Sequence, residues 1–123
     1  MVFKENNKAI FIQIADAICD DILAGKYTVG ERLPSVREYA ASVEVNPNTV
    51  MRSYDRLSGD GIIYNRRGIG YFLADNARQL ITRTRRDEFL GSEIDNVFRN
   101  LSLLDISPDE LKALYQKYLS SHS

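Results

Sequence analysis

Residues 45–50 of this chain read Val-Asn-Pro-Asn-Thr-Val. Asn46 can accept a hydrogen bond from the first unpaired backbone amides of a helix, and Pro47 suits the first helical position. The stretch therefore predicts a helix start. The helix that follows has apolar residues on one face only, at Val50, Tyr54 and Leu57.

A second helix-start signal precedes this one. In Ser35-Val36-Arg37-Glu38, the serine can accept from the amide of Glu38 while the glutamate reaches back, which is the spacing of a capping box. The helix that starts there should run out near residues 42–44, leaving a brief turn before the next helix. Further upstream, apolar residues at helical spacing predict an amphipathic helix that ends at Gly25, with a short strand near Arg32.

Downstream of these helices, two short apolar runs flank a polar tip. Ile-Ile-Tyr at 62–64 and Tyr-Phe-Leu at 71–73 are separated by Asn-Arg-Arg-Gly-Ile-Gly, whose glycines permit a tight turn. They predict a two-stranded ribbon with arginines at its end. Helix, short strand, helix, turn, helix and hairpin is the order of a winged helix-turn-helix, in which the helix after the turn enters the major groove of DNA.

The exposed side chains of the third helix favour DNA binding over a merely solvated surface. Helix pairs joined by a brief turn also occur in many proteins that do not bind DNA. With its apolar face buried, however, this helix exposes asparagine, which pairs with adenine, and arginine, which pairs with guanine, where a solvated helix would usually show Glu and Lys. The exposed residues are Asn46, Asn48, Thr49, Arg52 and Arg56.

Charge is segregated along the chain. Sixteen basic and seventeen acidic residues give a net charge of −1, which alone argues against nucleic-acid binding. Residues 10–31, however, hold four acids against one lysine, whereas residues 32–70 hold six arginines against four acids. Such a protein can present one positive face to a polyanion. Arginines scattered over a solvated surface are the alternative.

Composition argues against several other classes of protein. One cysteine, Cys19, and one histidine, His122, cannot supply a structural zinc site, a disulfide framework or a Ser-His-Asp triad, so we expect no enzyme, no metal and no cofactor. No apolar run approaches the length of a membrane span, and the N-terminus lacks the pattern of a signal peptide. We therefore expect a cytoplasmic protein without a membrane partner.

The sequence pattern changes after residue 74, which predicts a winged helix-turn-helix over 1–74 and a helical tail over 75–123. From Leu90 the apolar residues step by 4, 3, 4 and 3, the heptad spacing of a helix that packs on a partner. Ser-Pro-Asp-Glu at 107–110 starts a last helix with its own apolar side. The fold class is thus mostly α with a small β-wing, a winged helix-turn-helix followed by a two-helix C-terminal dimerisation tail. The expected homodimer contacts are Leu90, Ile94, Val97, Leu101, Leu104, Leu111, Leu114 and Tyr118.

Three motifs occur in an order that resembles a known family. Leu-Pro-Ser-x-Arg at 33–37, the stretch at 45–50 and Arg-Arg-Gly-x-Gly at 66–70 resemble the DNA-binding domain of GntR-type bacterial transcriptional regulators, over residues 10–74. The resemblance implies a sequence-specific DNA-binding regulator. The remaining 49 residues are too few for the effector-binding or aminotransferase-like domain of larger members and look like the short helical tail of the YtrA-type branch.

The resemblance also implies roles for individual residues. Arg37 matches a family arginine that reaches the DNA, Asn48 is the best candidate base reader, and the wing tip resembles one that lies along the adjacent minor groove. For Ser35, helix capping and phosphate contact are compatible roles. The expected DNA-binding residues are Ser35, Arg37, Asn46, Asn48, Thr49, Arg52, Arg66, Arg67 and Gly68.

Two positions of the third helix depart from the family pattern. Pro47 and Met51 stand where relatives carry basic residues, so Arg52 would contact phosphate or a base from a different angle. Four arginines after the wing have two open interpretations, phosphate contact or ion pairing across a dimer: Arg78, Arg83, Arg85 and Arg86.

The expected mode of action follows from dimerisation. A two-fold dimer predicts an inverted-repeat operator in double-stranded DNA, and repression is the commonest outcome in the family. A small-molecule effector is left open and is assigned to no residue. The rival interpretation, a winged helix used as a protein-interaction module, predicts an apolar third helix in place of Asn, Thr and Arg.

Overall fold

The computed structural model describes residues 8–122. Its elements, in chain order, are α1 (Ile10–Leu23), α2 (Val36–Val43), α3 (Pro47–Gly59), β1 (Ile63–Arg66), β2 (Gly70–Leu73), α4 (Ala77–Glu88), a π-helical turn (Phe89–Glu93), α5 (Ile94–Leu103) and α6 (Pro108–Ser121). The chain forms two compact units that divide after Arg83. The expected fold class, mostly helical with a two-stranded wing, is confirmed.

The core of the first unit lies between α1, α2, α3 and the wing. α3 is buried along Val50, Tyr54 and Leu57, as its spacing predicts. Cys19 packs into the same core as a small, soft side chain. The predicted apolar stripe of α1 is buried at Ile14, Ala15, Ile18 and Ile22.

Ser53 is a core residue that periodicity does not reveal. It is fully buried on α3, and its hydroxyl donates to the carbonyl of Phe11 at 2.7 Å and lies 3.3 Å from that of Thr49. A buried hydroxyl is tolerated when it is hydrogen-bonded. This one also ties α3 to the beginning of α1.

Both helix starts near the turn fold as their local sequences predict. The Ser35 hydroxyl accepts from the amide of Glu38 at 3.1 Å, and the Glu38 carboxylate accepts from the amide of Ser35 at 3.0 Å, which completes the capping box. The side-chain oxygen of Asn46 accepts from the amide of Asn48 at 2.8 Å. Between these helices, Glu44 adopts a left-handed φ of 57° that ends α2.

The wing is a hairpin with a third short segment beside it. β1 and β2 pair antiparallel, so Tyr64 lies opposite Phe72 and Arg66 opposite Gly70. The strands reach further toward the tip than the apolar runs predict, because the ladder continues to that last pair. The predicted strand near Arg32 exists as a single bridge between Arg32 and Phe72.

Three tyrosines join α2, α3 and the wing. The ring centroids of Tyr39 and Tyr54 are 6.3 Å apart, and Tyr71 meets Tyr54 edge-on at 5.0 Å. The hydroxyl of Tyr54 donates to the carbonyl of Pro34 at 2.6 Å. The wing is therefore packed against α3 through the contact between Tyr71 and Tyr54.

The boundary between the units differs from the predicted one at residue 74. Ala77 and Ile81 of α4 are buried in the first unit's core, so the start of α4 belongs to that unit. Arg78 donates to the carbonyls of Ile22 and Leu23 at 3.0 and 2.9 Å. A cation at a helix C-terminus is stabilising, and α1 has no basic residue of its own there. Arg78 is thus a helix cap, a role that neither open interpretation foresaw.

The heptad spacing predicted from Leu90 to Leu104 does not lie on one regular α-helix. Leu90 lies in the π-helical turn, where the amide of Ile94 donates to the carbonyl of Phe89, five residues back. Leu104 follows the last residue of α5. The wider turn rotates Leu90 away from regular α-helical spacing with the residues of α5.

The second unit, from Thr84 onward, contains no buried residue among those that the structure describes. Ile94, Leu101 and Leu111 are half-buried. Among the described residues of this unit, ten large apolar side chains are exposed: Phe89, Leu90, Val97, Phe98, Leu103, Leu104, Leu114, Tyr115, Tyr118 and Leu119.

Within residues 8–122, no helix combines the length and the apolar character that crossing a membrane requires. The same part of the chain brings no three His, Cys, Asp or Glu side chains together as metal ligands.

Candidate nucleic-acid interface

The front of α3 is the centre of the candidate interface. Asn48 and Arg52 are exposed, and Thr49 is half-exposed, on the side of the helix opposite the buried core residues. Asn46 is exposed as well; its side-chain oxygen accepts from the amide of Asn48, and its side-chain NH₂ group can donate to a ligand. The helix thus offers donors at its N-terminal turn, where the helix dipole favours an anion.

Arg52 is held in place by an aromatic ring. Its guanidinium lies 4.1 Å from the centroid of the Phe11 ring, the geometry of a cation–π contact. The contact restrains the side chain beside α1 and leaves its edge in solvent. Sequence reasoning missed this partner, since Phe11 belongs to another helix.

Ser35 and Arg37 lie at the beginning of α2. The oxygen of Ser35 accepts the capping bond, and its own hydroxyl proton is still available to a phosphate. Hydrogen bonds from Ser35 hold the pKa of Glu38 below its usual value, with a smaller contribution from the charge of Arg32. Arg37 is exposed.

The wing tip carries the other arginines. Arg66 lies over the Phe72 ring, with its guanidinium carbon 5.3 Å from the ring centroid, and Arg67 is exposed at the turn itself. The amide of Ile69 donates to the carbonyl of Arg66 at 2.8 Å, which closes the turn. Gly68 has a φ of +79° with no atom within 4 Å of where a Cβ would stand. The space beside Gly68 is therefore open, and the positive φ at this position favours glycine.

The arginines of this surface are not neutralised by any acid in the part of the chain that the structure describes. Arg37, Arg52, Arg66 and Arg67 form no ion pair with any described residue. Asp55, one turn after Met51 on α3, is an exposed acid on the same helix as Arg52. Uncompensated guanidinium groups are what binding to a phosphate backbone requires.

Met51 is a further residue of this surface that sequence reasoning treated only as a departure. It is exposed on α3, and the hydroxyl of Tyr71 donates to its sulfur at 3.9 Å. Burial raises the pKa of Tyr71, and the charge of Asp55 adds to this, so the phenol keeps its proton. No signal in the sequence alone could have paired residues from α3 and β2.

The expected dimer residues lie outside this surface, in the second unit. On α5, Ile94 and Leu101 are half-buried and Val97 is exposed. On α6, Leu111 is half-buried, and the other two expected residues, Leu114 and Tyr118, are exposed. Five further apolar residues of this unit are exposed without having been predicted as contacts: Phe89, Phe98, Leu103, Tyr115 and Leu119.

Comparison with known proteins agrees with this geometry. The family model of bacterial regulatory proteins, gntR family, matches residues 12–73, about half of the chain. The uncharacterized HTH-type transcriptional regulator YhcF of Bacillus subtilis is 33% identical over 107 residues, covering 87% of this chain and 87% of YhcF. The HTH-type transcriptional repressor YtrA of the same organism is 41% identical over 69 residues, covering 56% of this chain and 53% of YtrA.

A solved structure extends the likeness beyond the winged helix. The crystal structure of a GntR-family protein from Bacteroides thetaiotaomicron is 48% identical and superposes with a TM-score of 0.82, covering 94% of this chain and 100% of that one. The chain therefore belongs to the GntR family of bacterial regulatory proteins, in its YtrA-type branch, and is a DNA-binding regulator of transcription rather than an enzyme.

Proposed function

We propose that this chain is a homodimeric repressor that binds an inverted-repeat operator, with α3 in the major groove and the wing tip along the adjacent minor groove of each half-site. The observation that carries the proposal is the two-sided character of α3. Its front exposes Asn48 and Arg52, while its back holds Val50 and Tyr54 fully buried. Asparagine and arginine are the side chains that read adenine and guanine in the major groove.

The wing supports the same proposal through its charge. Arg66 and Arg67 stand at the tip without an acidic partner among the described residues. Contacts from such residues position a protein on the duplex and carry the salt dependence of binding. In this proposal α3 supplies sequence preference and the wing supplies affinity.

Dimerisation rests on the second unit. An isolated helix shorter than about 12–15 residues is marginal in water, and its apolar side needs a cover. α5 continues from the π-helical turn and α6 has 14 residues, and both leave apolar side chains in solvent, with Tyr115 60% exposed. A second copy of the chain fits as the cover, because a two-fold axis pairs identical apolar faces and also aligns two α3 helices with an inverted repeat.

Repression is the proposed outcome of binding. YtrA, which matches just over half of this chain, is named as a transcriptional repressor. A dimer bound across a promoter blocks access to it without any further activity. Because a bacterial operator lies on the chromosome, the proposed place of action is the cytoplasm. An effector is assigned to no residue of the chain.

The test combines DNA selection with oligomeric state. Duplexes bound from a random pool define the operator, and sedimentation gives the mass of the protein alone and in complex. Leu114→Glu puts a charge on the exposed apolar side of α6, whereas Gln116→Glu makes the same change of charge on its polar side. We expect Leu114→Glu to be monomeric and to bind the operator at least about tenfold more weakly, since linked binding is lost. Gln116→Glu should behave as the unaltered protein does.

The outcomes separate the two halves of the proposal. A selected site without two-fold symmetry, or a Leu114→Glu protein that is still dimeric, refutes the dimer on an inverted repeat. Binding that ignores heparin, a phosphate-like competitor, or that selects no sequence refutes α3 as the reading helix.

A further inference from the structure

The outer face of the wing carries an aromatic pair that the proposed function does not use. Side chains alternate between the two faces of a strand, so Ile63 and Leu73, which are buried, mark the inner face. Tyr64 and Phe72 occupy the outer face as a directly opposed pair. Their rings stack with centroids 5.9 Å apart and planes inclined by 25°.

Two arginines frame this aromatic pair. Arg66 lies two residues after Tyr64 on β1, therefore on the same face, and its guanidinium carbon is 5.3 Å from the centre of the Phe72 ring. Arg32 reaches the same face from the other edge of β2, where it bridges to Phe72. The hairpin is thus widened by a residue that precedes it in the chain by about thirty positions.

Gly70 is a neighbour of both arginines. It lies directly opposite Arg66 in the ladder. The side chain of Arg32 lies across it, with Nε only 2.8 Å from the position that a Cβ at residue 70 would occupy and Cγ and Cδ at 3.6 Å. Any other residue at this position would force the Arg32 side chain away, so the glycine makes room for it.

The charge of Arg32 is not paired with an acid among the described residues. Arg32 is exposed and forms no ion pair with a described residue. Its charge acts on Glu38, whose carboxylate already accepts the capping hydrogen bond from the amide of Ser35. The guanidinium groups of Arg32 and Arg66 form no ion pair with a described residue. Such groups suit a phosphate backbone, because a guanidinium can donate two parallel hydrogen bonds to one phosphate.

We infer that Arg32 is an additional DNA-contacting residue, which binds a backbone phosphate beside Arg66 on the outer face of the wing, and that Gly70 acts as its positioning residue. The inference rests on the proposed function, since it needs the wing to lie against a duplex. It adds a contact from outside the hairpin and the helix-turn-helix, and it explains why the ladder position opposite Arg66 is a glycine.

The experiment measures the salt dependence of binding to the selected operator between 50 and 200 mM salt. Each phosphate contact contributes about −0.9 to the slope of log affinity against log salt. We expect Arg32→Ala to flatten the slope by about 0.9 for each protomer on the duplex, so that its affinity deficit shrinks by about 3.5-fold per protomer over this range. Arg99→Ala removes an equally exposed arginine from α5 and should leave the slope unchanged.

Two further variants exclude a merely structural role. Arg32→Lys keeps the charge and should keep most of the slope, while thermal unfolding of all variants reports on the fold. Gly70→Ala should flatten the slope in the unaltered protein but add no further flattening in the Arg32→Ala background, if it acts by displacing that side chain.

The outcomes are distinguishable from those of the proposed function. Loss of salt-dependent binding by the unaltered protein would remove the proposed function itself. An unaltered slope in Arg32→Ala, with operator binding intact, overturns only the role of Arg32. Equal effects of Gly70→Ala in both backgrounds would show that it acts through the backbone, whose φ of +139° strains any larger residue, and would overturn the positioning role.

Discussion

Replacing Tyr54 with phenylalanine tests how α3 is held to the segment before α2. The side chain is fully buried, and its hydroxyl donates to the carbonyl of Pro34 at 2.6 Å. Phenylalanine keeps the ring and its edge-on contact with Tyr71 but removes this single hydrogen bond. Tyr39→Phe is the matched control, because the buried hydroxyl of Tyr39 has no hydrogen-bond partner among the described residues.

The magnitudes follow from hydrogen-bond energetics. A typical buried hydrogen bond contributes about 1 kcal/mol net, and a carbonyl left unsatisfied adds about 1–3 kcal/mol when it is fully buried. Since Pro34 is only half-buried, water can reach part of its surface, and we expect Tyr54→Phe to cost about 1.5–2 kcal/mol. Tyr39→Phe removes an unpaired buried hydroxyl and should be neutral or stabilising by up to about 1 kcal/mol.

Urea unfolding followed by circular dichroism measures both changes. The expected result is a lower midpoint for Tyr54→Phe at unchanged m-value and an equal or higher midpoint for Tyr39→Phe. If the two variants lost the same stability, the difference between a paired and an unpaired hydroxyl would not govern this cluster. The account of how Tyr54 anchors α3 to the segment before α2 would then be wrong.

Three further predictions concern the same unit. Arg78→Ala should lower the free energy of unfolding by about 1–2 kcal/mol, because two carbonyls at the end of α1 lose a charged donor. The control, Arg83→Ala, removes an exposed arginine and should change the free energy of unfolding by less than about 0.5 kcal/mol. Equal losses of stability in urea unfolding would exclude the capping role of Arg78. Burial raises the pKa of Tyr39 from 10.0 to about 12, so its contribution to stability is complete below pH 10 and is lost as the pH rises toward 12. Tyr39→Phe should therefore show a shallower alkaline loss of thermal stability, and an identical pH profile would contradict the assignment. In DNA binding, Arg67→Ala should weaken affinity for all duplexes and flatten the salt slope, while Asn48→Ala should mainly relax preference at one base position; affinities within twofold of the unaltered protein for both would remove their proposed roles.

Local signals in the sequence determined the order of the elements. The capping box at Ser35 and the cap at Asn46 involve residues two or three positions apart, so their hydrogen bonds can be read directly from spacing. The buried faces of α1 and α3 repeat with the helical period for the same reason. Motifs in a set order, together with the exposed Asn and Arg side chains of α3, were enough to indicate the family.

The tertiary structure alone decided which side chains meet across the fold. Arg78 caps a helix 56 residues away, Arg52 stacks on Phe11, and Arg32 lies over Gly70. The start of α4 also joins the first unit, which moves the boundary from residue 74 to beyond Arg83. Such contacts form between elements whose separation in the chain follows no period. An arginine that caps a helix, one that stacks on a ring and one that binds phosphate are also indistinguishable in the sequence. Only packing, which places one element against another, separates these roles.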